Sequence, residues 1–249
     1  METEKSAALY KVSGERGKRA FGILKADDSE RSVKRMEMKP YKTLIESAED
    51  SFIVNKSRFI GSGRPCAAEE EALAFLNEIR AKYRDANHHC YAYIIGANMG
   101  VMRYSDDGEP GGTAGMPIIE VLKARGVTNC CVVVTRYFGG ILLGAGGLTR
   151  AYAQGAALAV NACRVGTMHP TQRCLMEIAY PMHGKFEHFL KDAPVLIEDK
   201  AFTDVITYTF CVRSSDADGF FAQVRDLSEG ASEPLTVEEI YMPWMEEAQ

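Results

Sequence analysis

No C-x-x-C pair, no long apolar run and no surplus of positive charge occur among the 249 residues, and each absence removes a class of function. Seven cysteines, an odd number, are scattered at Cys66, Cys90, Cys130, Cys131, Cys163, Cys174 and Cys211. That spacing excludes a zinc ribbon and argues against a disulfide framework, so they read as reduced core residues of a cytoplasmic protein. Apolar runs such as Cys130–Val134 are far shorter than the roughly 20 residues a spanning helix needs. Residues 1–37 contain no apolar signal core, and no membrane partner is expected. A net charge of -5 repels nucleic acid in bulk, so any phosphate contact must be local. Neither G-x-x-x-x-G-K-[ST] nor a clean dinucleotide fingerprint is present, which argues against nucleotide hydrolysis and predicts no cofactor.

What is present is an α/β pattern in two parts. Residues 1–37 mix basic, acidic and small residues without a period of 2 or 3.6. They read as a mobile extension or, alternatively, as sequence upstream of a start at Met36 or Met38. A first domain is expected over residues 38–166. Strands are expected at Phe52–Val54, Arg58–Gly61, His89–Ile95, Val101–Tyr104 and Cys130–Thr135. Helices are expected around Ala68–Tyr83, Pro117–Ala124 and Gly147–Ala162. Residues 167–249 then read as βαββαβ: Cys174 to Tyr180 alternate, Phe186 to Leu190 form a short helix, and two strands, a helix at Phe220–Leu227 and a last strand at Leu235–Tyr241 follow. This is the ferredoxin-like split arrangement.

Two glycine-dense stretches, Ser105–Gly115 and Gly139–Gly147, hold nine of the 22 glycines. Glycine is used where backbone takes positive φ or approaches another group closely. Each stretch leads into a helix, so free N–H groups and the positive dipole end make an anion cradle. The candidate phosphate or RNA ligands are therefore Gly112, Thr113 and Gly115 in the first loop, and Gly139, Gly140, Gly144, Gly146 and Gly147 in the second. Arg103, Arg136 and Arg150 flank the loops, and Lys56 and Arg58 are further candidates. The structural alternative is that the glycines serve tight turns and helix packing.

Asp106, Asp107 and Glu109 could hold Mg²⁺ beside a phosphate, but D-D-G-E-P also satisfies turn chemistry, and no metal site is assigned. On a strand only His88 and Cys90 of His88-His89-Cys90 share a face, and further zinc ligands are not evident. Thr113, Thr135 and Ser105 have no base partner in the sequence, so no catalytic residue is assigned.

His89-Cys90-Tyr91-Ala92-Tyr93, Arg103-Tyr104-Ser105-Asp106-Asp107-Gly108-Glu109-Pro110, Gly112-Thr113-Ala114-Gly115, Val133-Val134-Thr135-Arg136-Tyr137-Phe138-Gly139-Gly140 and Leu143-Gly144-Ala145-Gly146-Gly147-Leu148-Thr149-Arg150-Ala151-Tyr152 stand in one order after Lys56-Ser57-Arg58-Phe59-Ile60. This set resembles the N-terminal domain of the IMPACT/YigZ family over about residues 40–165, and the remainder is similar to the small C-terminal domain of bacterial members. The resemblance implies a first domain like the second domain of a small-subunit ribosomal protein and a second like the ferredoxin-like domains of elongation factor G. It also implies a non-enzymatic role in translation regulation, with RNA, the ribosome or a translation factor as partner. Eukaryotic relatives restrain a stress-activated kinase of the initiation factor through a region this chain has no room for. The alternative is a small-molecule enzyme performing Mg²⁺-dependent phosphoryl transfer at the glycine loops. Association into a weak homo-oligomer stays open.

Overall fold

The computed structural model describes residues 38–244, so the expected extension over residues 1–37 lies outside the described residues. Five antiparallel strands form the first sheet: β2 (Ala48–Val54), β3 (Ser57–Pro65), β4 (His88–Ile95), β5 (Val101–Ser105) and β6 (Cys130–Tyr137), in the order β2-β3-β6-β4-β5. β2 and β3 are joined by Asn55 and Lys56, both at positive φ, as a two-residue hairpin turn requires.

Helix α1 (Glu69–Lys82) covers one face of this sheet, packing Ala72, Phe75, Leu76 and Ile79 on Tyr93, Cys131 and Val133. Its acidic first turn and basic last turn complement the helix dipole. Helices α2 (Gly115–Arg125) and α3 (Gly144–Ala162) cover the other face, over Phe59, Cys90, Ala92, Ile94, Val132 and Val134. The small residues of α3 let it lie close: a Cβ at Gly61 would stand 2.0 Å from the Gly155 carbonyl oxygen. β6 reads as an unbroken apolar run because both of its faces are buried.

The second sheet contains β7 (Val165–Ile178), β8 (Val195–Phe202), β9 (Ile206–Arg213) and β10 (Leu235–Pro243), in the antiparallel order β10-β7-β9-β8. With α4 (His183–Leu190) and α5 (Ala217–Leu227) it is the ferredoxin-like βαββαβ unit, and Phe186, Tyr208, Phe210, Phe220 and Val224 meet in its core. Tyr180, expected in the strand, stands in a short 3₁₀ turn at Tyr180–Met182.

β7 begins nine residues before the alternation that marked it, at Val165. Its first residues pair with a strand the sequence did not reveal, β1 (Tyr41–Leu44). The β1 backbone belongs to the second sheet, yet Leu44 is buried in the first core and the Thr43 hydroxyl donates to the Asn129 carbonyl. The expected boundary at residues 166/167 therefore falls inside a strand that serves both halves. Among the described residues no helix is long and apolar enough to cross a membrane.

Candidate partner-binding site

Both glycine-rich loops lie at one end of the first sheet, where β5 and β6 end and β3 and β4 begin. The first loop leaves β5 and turns back on its own carboxylate. Asp106 accepts hydrogen bonds from the backbone N–H groups of Gly112 at 2.8 Å, Ala114 at 3.0 Å and Gly115 at 2.8 Å. The head of α2 is thus an anion cradle, as expected, but its anion is Asp106. Gly115 is required because a Cβ there would stand 2.8 Å from the Ser105 backbone. Thr113 is buried and its hydroxyl donates to the Pro110 carbonyl. Gly112, Thr113 and Gly115 consequently build the loop rather than offer donors to a ligand.

Burial pushes the Asp106 carboxyl up, but the three N–H donors outweigh it and hold the group below its ordinary value. Its contribution to stability is therefore present above the unfolded carboxylate pKa and is lost as pH falls through the depressed folded value. Asp106→Ala is expected to cost about 2 kcal/mol at pH 7, because three donors and a helix start lose their acceptor. The difference from wild type should shrink towards pH 3 in urea titrations. An equal loss at pH 7 and pH 3 would exclude a charge-dependent cap.

Next to this loop, Glu109 and Arg136 form a buried pair. Arg136 Nη1 donates to Glu109 Oε1 at 2.6 Å, with side-chain exposures of 6% and 4%. The Tyr152 hydroxyl of α3 donates to the same oxygen at 2.7 Å, and the Arg136 guanidinium lies over the ring of Phe59 and over that of Phe138. Burial, together with Cys90 and Glu109 beside it, pushes the Tyr152 phenol far up, so it remains a donor. Arg136 Nη2 also reaches the Ser57 hydroxyl, which accepts from Gly139 N–H at 3.1 Å. One ionic cluster thus ties the first loop, the second loop, α3 and the β2–β3 hairpin together. Arg136, expected on the surface with Arg103 and Arg150, is 5% exposed and belongs to this scaffold.

Nor do the other two arginines join it. Arg103 pairs in register with Tyr93, which faces α1, whereas Arg136 pairs with Phe59 and His88 on the α2 and α3 side. Arg103 is therefore on the opposite face of the sheet.

Of the remaining polar residues, Asp107 accepts from the His89 backbone N–H at 2.6 Å and pairs with Arg80. His88 Nδ1 carries a proton, because it meets the Asp107 carbonyl at 2.8 Å and a carbonyl only accepts. His89, whose pKa burial lowers, contacts the Thr135 hydroxyl at 3.2 Å beneath α1. That partner is invisible in sequence because strand register creates it. Both groups are buried, out of reach of a substrate. Among the described residues no group of three or more His, Cys, Asp or Glu could hold a metal ion.

The second loop is built differently. Gly140 and Gly144 take φ of +81° and +68°, and Gly139 packs directly on the Lys56–Ser57 backbone. No side chain caps α3, whose first residues are Gly144, Ala145, Gly146 and Gly147. Arg150 is exposed beside Gly146, and Lys56 and Arg58 are exposed on the adjoining hairpin. Sequence reasoning did not assign a site role to the apolar rim here: Phe138 is 44% exposed, Ile141 43% and Leu142 85%. The signal available was a Phe-Gly-Gly-Ile-Leu-Leu-Gly run with neither helical nor strand period.

The Impact N-terminal domain model matches residues 55–160, and a domain of unknown function matches residues 176–231. The IMPACT family member YvyE of Bacillus subtilis is 37% identical, over 78% of this chain and 89% of its own length. YigZ of Escherichia coli, another IMPACT family member, is 34% identical over 75% and 92%. A crystal structure described only as that of a hypothetical protein superposes with a TM-score of 0.53 at 31% identity, covering 81% of this chain and 98% of the other. On these matches, and on a fold that carries both expected units, this chain belongs to the IMPACT family.

Proposed function

We propose that the chain is a non-enzymatic binding protein of the cytoplasm, acting in translation regulation, which holds RNA phosphates, as displayed by the ribosome, at the rim of the second glycine loop. One observation carries this reading. Lys56 and Arg150 are exposed, have no ion-pair partner among the described residues and flank the glycine loop that leads into the uncapped start of α3. Arg58, by contrast, pairs in register with Tyr137 and points to the opposite face of the sheet, with α1. Cations without ion pairs beside helical N–H groups that no side chain caps make this end of the first sheet locally positive in an acidic protein. The names of eukaryotic relatives support only the family, as with the Saccharomyces cerevisiae protein called an IMPACT homolog, 32% identical over 39% of each chain. The translation role is drawn from the wider family resemblance.

The enzymatic alternative, phosphoryl transfer, needs a carboxylate free to hold Mg²⁺. Asp106 is taken by three backbone donors, Asp107 by His89 and Arg80, and Glu109 by Arg136 and Tyr152, so that reading has less support.

Arg150→Ala and Lys56→Ala are each expected to weaken RNA or ribosome binding by about 1–3 kcal/mol, with the salt dependence reduced by about one phosphate contact. Their melting temperatures should match wild type, and Lys191→Ala in the second unit should bind normally. Cosedimentation with ribosomes and oligonucleotide anisotropy at several salt concentrations provide the readout. Unaltered binding in both rim variants would overturn the proposal.

A further inference from the structure

We infer that Phe138 is a stacking platform for a nucleobase of single-stranded RNA, an inference that rests on the binding rim above and adds the form of the nucleic acid. Phe138 stands at the end of β6, immediately before Gly139, with its backbone N–H held by Asn87 Oδ1 at 2.7 Å. Its ring is half-exposed beside a glycine-rich loop whose exposed side chains, Ile141 and Leu142, are apolar. The ring is also supported from within. The Arg136 guanidinium lies 5.3 Å from its centroid, and that guanidinium is fixed by Glu109 and by the Phe59 ring at 5.4 Å. A cation held against one face of an aromatic ring orients the ring and leaves the other face to a partner.

The surroundings select that partner. The Lys56 backbone packs on Gly139, and Arg150 lies nearly two turns into α3 with its guanidinium near Gly146; both are exposed and have no ion-pair partner among the described residues. An exposed aromatic ring and exposed cations borne by the same loop and its neighbours match the two needs of a single strand, a surface for the flat base and positive charge for the backbone. A duplex keeps its bases stacked inside and presents only phosphate and groove edges, so it would use the cations and leave the ring idle. A protein partner would use Ile141 and Leu142 together with Phe138 as an apolar patch and would not require aromaticity.

The test compares a single-stranded 12-nucleotide RNA with the corresponding duplex, by anisotropy, for wild type, Phe138→Ala, Phe138→Leu and Phe138→Trp. We expect Phe138→Ala to weaken single-strand binding about 5- to 150-fold and to leave duplex binding unchanged. Phe138→Leu should fail in the same way, while Phe138→Trp should bind and have its added fluorescence quenched. Single-strand binding by Phe138→Leu equal to wild type would overturn stacking. If the Phe138 variants bind normally while Arg150→Ala is weak, stacking falls and the phosphate-binding rim stands. If wild type binds neither RNA, both fall.

Discussion

Replacing Arg136 by alanine is expected to destabilise the protein by about 3–5 kcal/mol, because it leaves the Glu109 carboxylate buried without its cation. For a chain of this length the melting temperature should fall by roughly 6–20 °C. Removing the pair is different from breaking it. Arg136→Met with Glu109→Gln deletes both charges and keeps most of the volume, so the double variant should be more stable than the single Arg136→Ala. Thermal melts followed by circular dichroism provide the measurement. The same cluster also fixes Ser57 and Phe138, so Arg136→Ala should loosen the second loop and reduce RNA binding indirectly. Arg150→Ala, by contrast, should reduce binding at unchanged stability. An Arg136→Ala variant that melts within about 2 °C of wild type would show that the pair is not a scaffold.

The contrast between these two arginines marks where sequence reasoning stopped. Periodicity gave the element order, since buried runs such as Cys130–Val134 and the α1 face Ala72, Phe75, Leu76 and Ile79 follow directly from burial. It did not give β1, whose four residues are too few for a pattern and whose pairing with β7 spans more than 120 residues. Both glycine loops were visible as glycine. Their difference was not, because it depends on Asp106 folding back onto N–H groups six to nine residues ahead. Arg103 and Arg136 looked alike until register placed them on opposite faces of one sheet, a distinction requiring only that each strand's partner be known. Glu109 looked like part of an exposed acidic turn, yet it is the buried carboxylate that joins four segments.

Gly139→Ala should produce the second large effect, by overpacking rather than by charge. A Cβ at this position would stand 2.0 Å from the Lys56 carbonyl carbon and 2.5 Å from the Ser57 nitrogen, against backbone that cannot rotate away. The hairpin turn and the second loop must then separate, which also strains the hydrogen bond from Gly139 N–H to the Ser57 hydroxyl. We expect a loss of about 3 kcal/mol or somewhat more, the upper part of the range for overpacked sites, together with weakened RNA binding as the Lys56 hairpin moves away from the second loop. Gly146 makes the informative comparison. It lies within α3, and its nearest neighbour for an added Cβ is the flexible end of Arg150 at 3.7 Å. Gly146→Ala should therefore raise stability by about 0.5–1 kcal/mol through helix propensity and reduced unfolded-state entropy. If that glycine is there so that phosphate can approach the first turn of α3, the same substitution should weaken RNA binding while the protein becomes more stable. Opposite signs for stability and affinity at Gly146, alongside joint losses at Gly139, would separate a ligand-facing glycine from a packing glycine within one loop. Gly146→Ala binding RNA as wild type does would remove the α3 start from the binding surface and leave the side chains of Lys56, Phe138 and Arg150 to carry it.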